Sequence, residues 1–561
     1  MWNNTRWILI PICLLTLTAA IFGSSADQHV HKLKYTIEPA DGSSRYRVKA
    51  EFEGESDGTT EIFIPNEWGG QTGLFRAFSG LKVTGGEFMR AAVHSNTRKT
   101  ITHAPGEKLV VEYIVERDFT GPLTNSMRYR PYADDVYLHW LGHTVWVLPE
   151  LNDGDPASID LEFNGFPKQW TFANSFGSGK TFQKFRTTVG RFKAAIFVAG
   201  DFRTIERTVG GKKLTLAIRG KWEFTDGQLA EMTGRVIETN RAFWNDRSQE
   251  QYLVTLVPID EGPNAFSYGG TGLHDSFALF ATPNATTARL LGILAHEYFH
   301  NWNPGSLGRM PEPEQQLYWF SEGFTEFYTF ELLDRGGLIT LAEKIDEFNK
   351  RIREYYLLPV RTEPNDRIVK DFWTDNNVNR LPYLRGFLFA ANLNAQIRRA
   401  SAGKYSLDDP MREMFALARE GRQRQLSIET LADVFARYLG SDPTPLMRRQ
   451  LIDGELIVPD PDTLGDSVAM ETADFPIFEL GFDFDRLAKD RLVTGVPLNS
   501  AAYDAGLRNG QTRSGSVSVF FGDTSREVLL TVTDSQGEKM IRYLPVAKKR
   551  APIPQFKLKR G

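Results

Sequence analysis

The sequence predicts a multidomain α+β protein with a β-rich beginning, a mostly helical middle and a β-rich end. Three observations carry this prediction. Short alternating runs rich in Val, Ile, Tyr and Phe fill residues 27–200, and helical periodicity replaces them after about Asn284. The chain of 561 residues is also too long for one hydrophobic core, so we expect about three domains.

The first 26 residues are typical of a secretory signal. Arg6 is the only charged residue before Asp27, the run from Trp7 to Phe22 is apolar, and small residues precede the expected cleavage point. A retained membrane anchor is the alternative, because the run is only slightly short of a spanning helix. The single cysteine, Cys13, lies in this segment, so the mature chain would hold no disulfide. We expect a periplasmic or extracellular location in a bacterium.

The composition argues against two other classes of protein. It is ordinary for a folded soluble protein, with 41% hydrophobic and 24% charged residues. The net charge of -4 is too weak to predict nucleic acid as a partner. Beyond the first 26 residues, no segment is long and apolar enough to predict a membrane span in the mature chain.

The elements predicted in residues 27–200 are strands. Their alternating apolar runs, separated by Gly, Pro, Asp and Asn, predict an N-terminal β-sandwich-like domain. His139 and His143 have the spacing of zinc ligands on a helix, but they lie in a strand-rich stretch without an acidic base. We interpret both histidines as ordinary residues of the β domain.

Residues 201–455 are predicted to be mixed and then helical. Strands are predicted at residues 212–220 and 251–259, with a helix around Gly227–Trp244 between them. Six helices are predicted after them, in the segments TTARLLGILAHEYFHNW, QQLYWFSEGFTEFYTFELLDRGG, TLAEKIDEFNKRIREYY, LPYLRGFLFAANLNAQIRR, DDPMREMFALARE and SIETLADVFARYLG.

A loop rich in Asp and Pro, residues 453–467, ends the helical part. Strand-like patterns return from about Glu471 to Val546, and DSQGEK is predicted to form a hairpin turn. Residues 548–561 form a basic tail that we interpret as solvated. Contact of this tail with an anionic membrane surface is the alternative.

The segment LLGILAHEYFHNWNPG, residues 290–305, contains His-Glu-x-x-His on a predicted buried helix. His296 and His300 lie one turn apart on the same face, so they can share a zinc ion. Glu297 is rotated to the flank, where it can act as a general base toward water at the metal. An ionised carboxylate on a buried helix is costly unless it is paired or functional, which favours this hypothesis over core histidines or a purely structural metal.

A catalytic zinc site with two histidines needs a third ligand and an open position. Glu322, in WFSEGFTEFY, lies on the next predicted helix, 22 residues after His300. That separation leaves room for a loop and an antiparallel return. We therefore predict one zinc ion bound by His296, His300 and Glu322.

The motifs HEYFHNWNP and LYWFSEGFTEFY resemble the glycyl-aminopeptidase family of metallopeptidases, relatives of the thermolysin-like and leukotriene-hydrolase-like gluzincins. The resemblance implies a thermolysin-like catalytic domain over residues 201–455, mostly helical with a small β-sheet. It also implies an N-terminal β domain, a C-terminal PDZ domain, and a peptide or protein substrate. By this resemblance His296, His300 and Glu322 are zinc ligands and Glu297 is the general base.

Two further segments extend the resemblance. NRLPYLRGFLFAANL is similar to the family's Tyr-x-Lys/Arg-Gly segment, which implies that Tyr383 hydrogen-bonds the developing oxyanion. A core aromatic residue is the alternative for Tyr383. Glu326, one turn beyond Glu322, is predicted either to orient a zinc ligand or to pair with a nearby arginine.

FSYGGTGLHDSFALF, residues 266–280, resembles the family's glycine-rich edge strand beside the bound substrate. The resemblance implies that Gly269 and Gly270 bind substrate, and ordinary hairpin glycines are the alternative. Related aminopeptidases carry a Glu in this strand for the free amino group of the substrate. This chain has none, Asp275 is the residue that could substitute, and specificity for a chain end stays open.

The segments FELGFDFD and GVPLNSAAYDAGLRNGQ resemble a PDZ domain over residues 470–547. The resemblance implies a loop that binds a peptide carboxylate, and hence a C-terminal peptide ligand. Gln511 stands where such domains usually have Asp, so binding of this ligand is an open prediction.

Two functions follow from these patterns. The first is a zinc-dependent peptidase, aminopeptidase-like, of the bacterial cell envelope. The second is a peptide-binding or scaffolding protein with a vestigial or structural metal site, which the missing Glu and the altered PDZ segment favour. Zinc content measured together with peptide turnover distinguishes the two functions.

Overall fold

The computed structural model describes residues 29–40, 44–89, 96–263, 265–422 and 425–559. The predicted signal segment and Cys13 lie outside these residues. In the described part of the chain, no helix has the length and hydrophobicity of a membrane span. The described residues divide into two compact units, one within residues 29–341 and 364–455 and one within residues 342–363 and 456–559. The predicted multidomain α+β class is confirmed.

The first unit begins with fifteen strands and two short helices among the described residues, all within residues 31–200. The strands are β1 (His31–Pro39), β2 (Arg45–Glu53), β3 (Thr59–Phe63), β4 (Phe78–Thr84), β5 (Gly86–Phe88), β6 (Arg98–His103), β7 (Lys108–Glu116), β8 (Tyr132–Ala133), β9 (Tyr137–Leu141), β10 (Leu148–Pro149), β11 (Pro156–Phe163), β12 (Thr171–Asn174), β13 (Gly177–Ser178), β14 (Phe182–Thr188) and β15 (Ile196–Gly200). The helices are α1 (Gly142–Val145) and α2 (Val189–Lys193).

These strands form three sheets, with the orders β14-β11-β1-β2-β7-β4, β10-β3-β6-β5 and β13-β12-β15-β9-β8. Strand β7 shows why the sequence pattern predicts them: Leu109, Val111, Tyr113 and Val115 are buried, and the residues between them are not. Apolar residues from all three sheets form one core. Most neighbouring strands are antiparallel, and β1 with β11 is a parallel pair.

A fourth sheet follows, with β16 (Arg203–Val209), β17 (Lys212–Ile218), β18 (Gln251–Pro258), β19 (Tyr268–Leu273) and β20 (Ser276–Ala281) in the order β16-β17-β18-β20-β19. Strands β17, β18 and β20 are parallel, and β19 runs antiparallel at one edge. Helix α3 (Asp226–Trp244) connects β17 to β18. The two strands and the helix predicted in this part are therefore present. The glycine-rich segment lies at the sheet edge, where one side of its backbone is free of strand neighbours.

All six predicted helices are present, and the described residues of this part also form two short α-helices that were not predicted. The helices are α4 (Thr287–Phe299), α5 (Tyr318–Arg335), α6 (Leu341–Leu357), α7 (Asn365–Asp371), α8 (Asn376–Ala400), α9 (Asp408–Arg419), α10 (Ile428–Leu439) and α11 (Thr444–Met447). Helix α8 begins earlier than its apolar pattern predicts, because the Asp375 side chain accepts hydrogen bonds from the first free N–H groups and Pro382 is tolerated inside the helix.

The second unit combines α6 with the C-terminal segment. It contains β21 (Val468–Phe478), α12 (Phe484–Asp490), α13 (Ala501–Asp504), β22 (Thr512–Ser518), β23 (Val528–Asp534), β24 (Gly537–Tyr543) and β25 (Val546–Leu558). The amide of Asn349 on α6 bonds both backbone groups of Phe556 on β25, at 2.8 and 2.7 Å. The predicted range 201–455 therefore loses residues 342–363 to the C-terminal unit.

Of two predictions for the C-terminal unit, the hairpin turn is confirmed and the solvated tail is wrong. The hairpin turn in DSQGEK is present, since β23 and β24 pair from Asp534 and Gly537 outward. The solvated basic tail is wrong for residues 548–558, because they form most of β25, which pairs with β21 along its length. Within β25 the basic residues Lys548, Lys549 and Arg550 are exposed, whereas Ile553 and Phe556 are buried.

Candidate metal centre

Helix α4 carries the first two residues of the predicted metal site in its last turn. Its apolar residues Leu290, Leu291, Ile293 and Leu294 are buried, which explains the absence of a polar stripe in the sequence. His296 and Glu297 are 6% and 1% exposed. The helix ends at Phe299. His300 is its C-cap residue, and the φ and ψ angles of His300 are still near helical values. The predicted spacing on one helical face is thereby kept across the helix end.

The structure brings His296, His300 and Glu322 together. Both Nε2 atoms lie near the Oε2 atom of Glu322, at 3.3 Å for His296 and 3.5 Å for His300. All three ligand atoms are within 4.8 Å of one another. Zinc–ligand bonds of about 2.0–2.2 Å in a tetrahedron put neighbouring ligand atoms about 3.3–3.5 Å apart. The two contacts with Glu322 therefore fit one zinc ion, as predicted.

Unpaired acceptor atoms support the same fit. The Oε1 atoms of Glu297 and Glu322 are buried, and neither has a hydrogen-bond partner within the part of the chain that the structure describes. Burial raises the pKa of a carboxyl, yet the imidazoles of His300 and His296 lower that of Glu322 to about 2. A buried, ionised carboxylate facing two imidazoles provides the charge and the donor atoms that a divalent cation requires.

A second set of contacts directs each imidazole toward the cluster. Glu326 Oε2 lies 3.2 Å from His296 Nδ1, and the backbone oxygen of Asn303 lies 2.7 Å from His300 Nδ1. An Nδ1–H that donates to these oxygens leaves Nε2 of both rings free to bind metal. Glu326 also lies 3.8 Å from Arg380, so it contacts both a histidine of the cluster and an arginine, and its role toward zinc stays a prediction.

Asn303 is a site residue that the sequence analysis missed. It is fully buried, and its side-chain amide donates to the Phe320 oxygen at 3.2 Å and to Thr325 Oγ1 at 3.1 Å on α5. These bonds tie the segment after His300 to the helix that carries Glu322. The sequence signal for this residue was its position in NWNP, directly after the second histidine of a predicted buried helix. A polar side chain that is buried there needs hydrogen-bond partners.

Glu297 lies beside the edge strand. Its Oε2 atom accepts a hydrogen bond from the N–H of Gly272 at 3.0 Å, and burial raises its pKa. A side chain at Gly272 would begin 3.4 Å from the same oxygen. Gly272 is therefore the glycine of the edge strand that bonds the Glu297 side chain.

Tyr383 reaches the cluster because α5 and α8 cross at two glycines. A Cβ atom on Gly386 would lie 1.8 Å from the Trp319 oxygen, and one on Gly323 would lie 2.3 Å from the Gly386 Cα. Only residues without side chains allow this approach. One turn before Gly386, the ring of Tyr383 stacks 6.1 Å from the ring of His296. Burial and the charges of Glu322 and Glu297 raise the pKa of Tyr383 well above its ordinary value, so its hydroxyl stays protonated.

The three residues predicted to bind substrate, Gly269, Gly270 and Asp275, contact other residues of the chain. At Gly269 an added Cβ would meet Asn125 Oδ1 at 2.5 Å, and at Gly270 it would meet the ring of Phe277 at 2.5 Å. Their close neighbours are thus residues of the chain itself. The carboxylate of Asp275 accepts a hydrogen bond from Gln249 Nε2 at 2.8 Å. Substrate binding by Gly269, Gly270 and Asp275 stays a prediction.

His139 and His143 lie in the β domain, as interpreted from the sequence. His139 is on β9, and its Nε2 atom lies 3.0 Å from Thr255 Oγ1. His143 stacks on Trp68 with ring centroids 5.3 Å apart. Burial lowers the pKa of both histidines to about 3, so they are neutral at neutral pH.

The segment that carries the cluster matches a known family. Residues 289–367 match the model of the M61 glycyl aminopeptidase family. The segment that holds the cluster is therefore similar to that of a glycyl aminopeptidase. The recognition made from HEYFHNWNP and LYWFSEGFTEFY is confirmed, and so are the enzyme class and zinc as the expected ion.

Solved structures show a similar fold. An aminopeptidase N family protein from Idiomarina loihiensis is 17% identical and has a TM-score of 0.70, with 94% of this chain and 98% of that chain covered. An M1 zinc metallopeptidase from Deinococcus radiodurans is 14% identical with a TM-score of 0.47, over 79% of this chain and all of that chain. The second likeness is too distant to support any detail of the site. No curated protein matches the sequence.

Proposed function

We propose that the protein is a zinc-dependent peptidase that hydrolyses peptide bonds in an aminopeptidase-like manner. The observation that carries this function is the cluster itself, with two Nε2 atoms at 3.3 and 3.5 Å from one carboxylate oxygen of Glu322. Glu297 lies beside the cluster without being one of its three ligands. This separation of ligands and base is what metal-assisted hydrolysis requires.

Zinc held by His296, His300 and Glu322 would polarise the scissile carbonyl and acidify water. Glu297 accepts the proton of the attacking water and delivers it to the nitrogen of the leaving amine. Its raised pKa suits both steps, since a carboxyl that holds a proton more tightly is a better base and can still act as an acid. The N–H of Gly272 keeps one carboxylate oxygen in place, and the other has no partner among the described residues.

We propose that Tyr383 stabilises the oxyanion that forms from the carbonyl. Its hydroxyl is buried, protonated and next to the ring of His296. A hydrogen-bond donor that is already in position costs little reorganisation energy when negative charge develops. In other enzymes, one such donor lowers the activation free energy by about 2.7–4 kcal/mol. Loss of the Tyr383 hydroxyl should therefore lower kcat more than it raises KM.

The substitution Glu297→Gln tests this function. The amide keeps the shape and the three zinc ligands, but it cannot take a proton from water. We expect normal zinc content and a loss of at least about 10³-fold in kcat on a mixed peptide pool, measured by mass spectrometry of the products with and without a chelator. Full turnover by this variant would contradict the assigned base. Bound zinc without hydrolysis of any peptide by the wild type would instead favour the scaffolding function.

We propose a location in the bacterial cell envelope, periplasmic or extracellular. Its support is the apolar run Trp7–Phe22 followed by small residues. N-terminal sequencing of the protein recovered from cells tests it, since cleavage near residue 26 gives a soluble mature chain and an intact N-terminus gives an anchored one.

We propose a PDZ-like fold for residues 470–547, supported by the three-stranded sheet β22-β23-β24, the short helix α13 and a separate apolar core. We do not extend this proposal to a peptide ligand. A PDZ-bound peptide adds to a strand edge, whereas the last residues of the predicted carboxylate loop FELGFDFD, residues 478–485, begin helix α12.

A further inference from the structure

Strand β19 has outward backbone groups that an extended peptide would use. Leu273 pairs with Ser276 across a two-residue turn, which makes them the hydrogen-bonded closing pair of the hairpin. Because pairing alternates along an antiparallel strand, the N–H and C=O groups of Tyr268, Gly270 and Gly272 point away from β20. These three residues form the outer edge of the sheet.

Two side chains of the β domain already occupy part of this edge. The hydroxyl of Tyr129 donates a hydrogen bond to the Gly270 oxygen, and Asn125 Nδ2 donates to the Tyr268 oxygen at 3.4 Å. Tyr129 and Asn125 are both fully buried. The guanidinium of Arg128 lies 4.2 Å from the ring centre of Tyr129 and fixes it from one side. The contact is therefore a packed part of the fold.

Gly272 marks the reacting end of the same edge. Its N–H already donates to Glu297, the proposed base. Gly270 is the next outward residue, two positions or about 6.6 Å away along the strand. In the other direction β19 ends at Leu273, one residue beyond Gly272. A peptide bound near Glu297 can therefore pair with few outward N–H and C=O groups of β19 in either direction.

We propose that Tyr129 and Asn125 cap the edge strand and restrict the enzyme to short peptides or to bonds within about two residues of a chain end. This inference rests on the proposed peptidase function. Addition of an antiparallel strand uses both the N–H and the C=O of each outward residue. The buried Tyr129 hydroxyl already bonds the Gly270 oxygen on its outward side, so the N–H of a longer peptide must compete with it there. The second pair of hydrogen bonds is therefore weakened.

A series of peptides with one fixed scissile bond and two to ten residues tests the cap. In the wild type we expect kcat/KM to stop rising beyond about three or four residues. Tyr129→Phe removes only the hydroxyl and frees the Gly270 oxygen, so kcat/KM for the long peptides should rise about five- to tenfold relative to the dipeptide. An unchanged ratio of long to short peptides would overturn the proposal.

Tyr35→Phe is the matched control. Tyr35 is also buried in the β domain, and its hydroxyl also donates to a backbone oxygen, that of Val147 at 3.0 Å. Loss of that bond should leave the length profile unchanged, and the same shift in this variant would show a general loosening of the β domain. Asn125→Ala is a second test at Tyr268, with a smaller shift expected because its bond is longer.

Equilibrium binding separates this inference from the proposed function. If the wild type hydrolyses no peptide, the proposed peptidase function is wrong. The cap is then tested by titrating the same peptides into Glu297→Gln and Glu297→Gln/Tyr129→Phe. Tighter binding of long peptides by the double variant alone supports the cap without catalysis. Equal affinities at every length, or no binding by either variant, would overturn it.

Discussion

Replacement of Gly386 by Ala should damage catalysis through helix packing alone. The added Cβ would lie 1.8 Å from the Trp319 oxygen, whereas ordinary contact begins at 3.4 Å. Helices α5 and α8 must therefore separate by about 1.6 Å, since both opposing groups are backbone and neither can rotate away. That shift moves Tyr383 on α8 away from Glu322 on α5. Misplacement of a catalytic group by about 1 Å can cost about 10²-fold in rate.

We expect Gly386→Ala to lose about 10²-fold in kcat/KM and about 1–3 kcal/mol in stability. The measurements are peptide hydrolysis, zinc content by mass spectrometry and thermal unfolding. Gly292→Ala is the matched control on α4, because a Cβ there meets no atom within 4 Å. It should keep full activity and gain up to about 1 kcal/mol from better helix propensity. Activity of Gly386→Ala within twofold of the wild type would show that the glycine contact does not set the position of Tyr383.

Two further predictions concern Glu326 and the buried histidines. Glu326→Gln weakens the acceptor at His296 Nδ1, so zinc affinity measured by competition with a chelator should fall about 10–100-fold while α5 stays folded by circular dichroism. His143 has a folded-state pKa of about 3, below the unfolded value of about 6.5, so the unfolded chain binds more protons between these values and stability is lost as pH falls from 6.5 toward 3. Between pH 7 and pH 5 this residue should cost about 2 kcal/mol, and urea unfolding of His143→Gln should show a pH dependence that is smaller by that amount. An equal pH dependence in the variant and the wild type would mean that His143 is not held neutral.

The chemistry of the centre was readable from local spacing. Two imidazoles one turn apart, a flanking carboxylate and a later Glu on a second helix define the donor set, because helical geometry fixes which side chains share a face. The alternating strands of residues 27–200 and the six helices were predicted for the same reason, since period 2 and period 3.6 are local properties of the chain.

Several contacts depended on residues far apart in the chain. Nothing local indicates that the Asn303 amide bonds Phe320 and Thr325. Nor does anything local indicate that Gly272 bonds Glu297, or that Tyr129 of the β domain bonds the edge strand. The strand at residues 546–558 was missed because its partner β21 is distant in sequence. The contact of helix α6 with this strand was not foreseen for the same reason. A periodic pattern specifies which face of an element is buried, but the element that covers this face is chosen by packing of the whole chain.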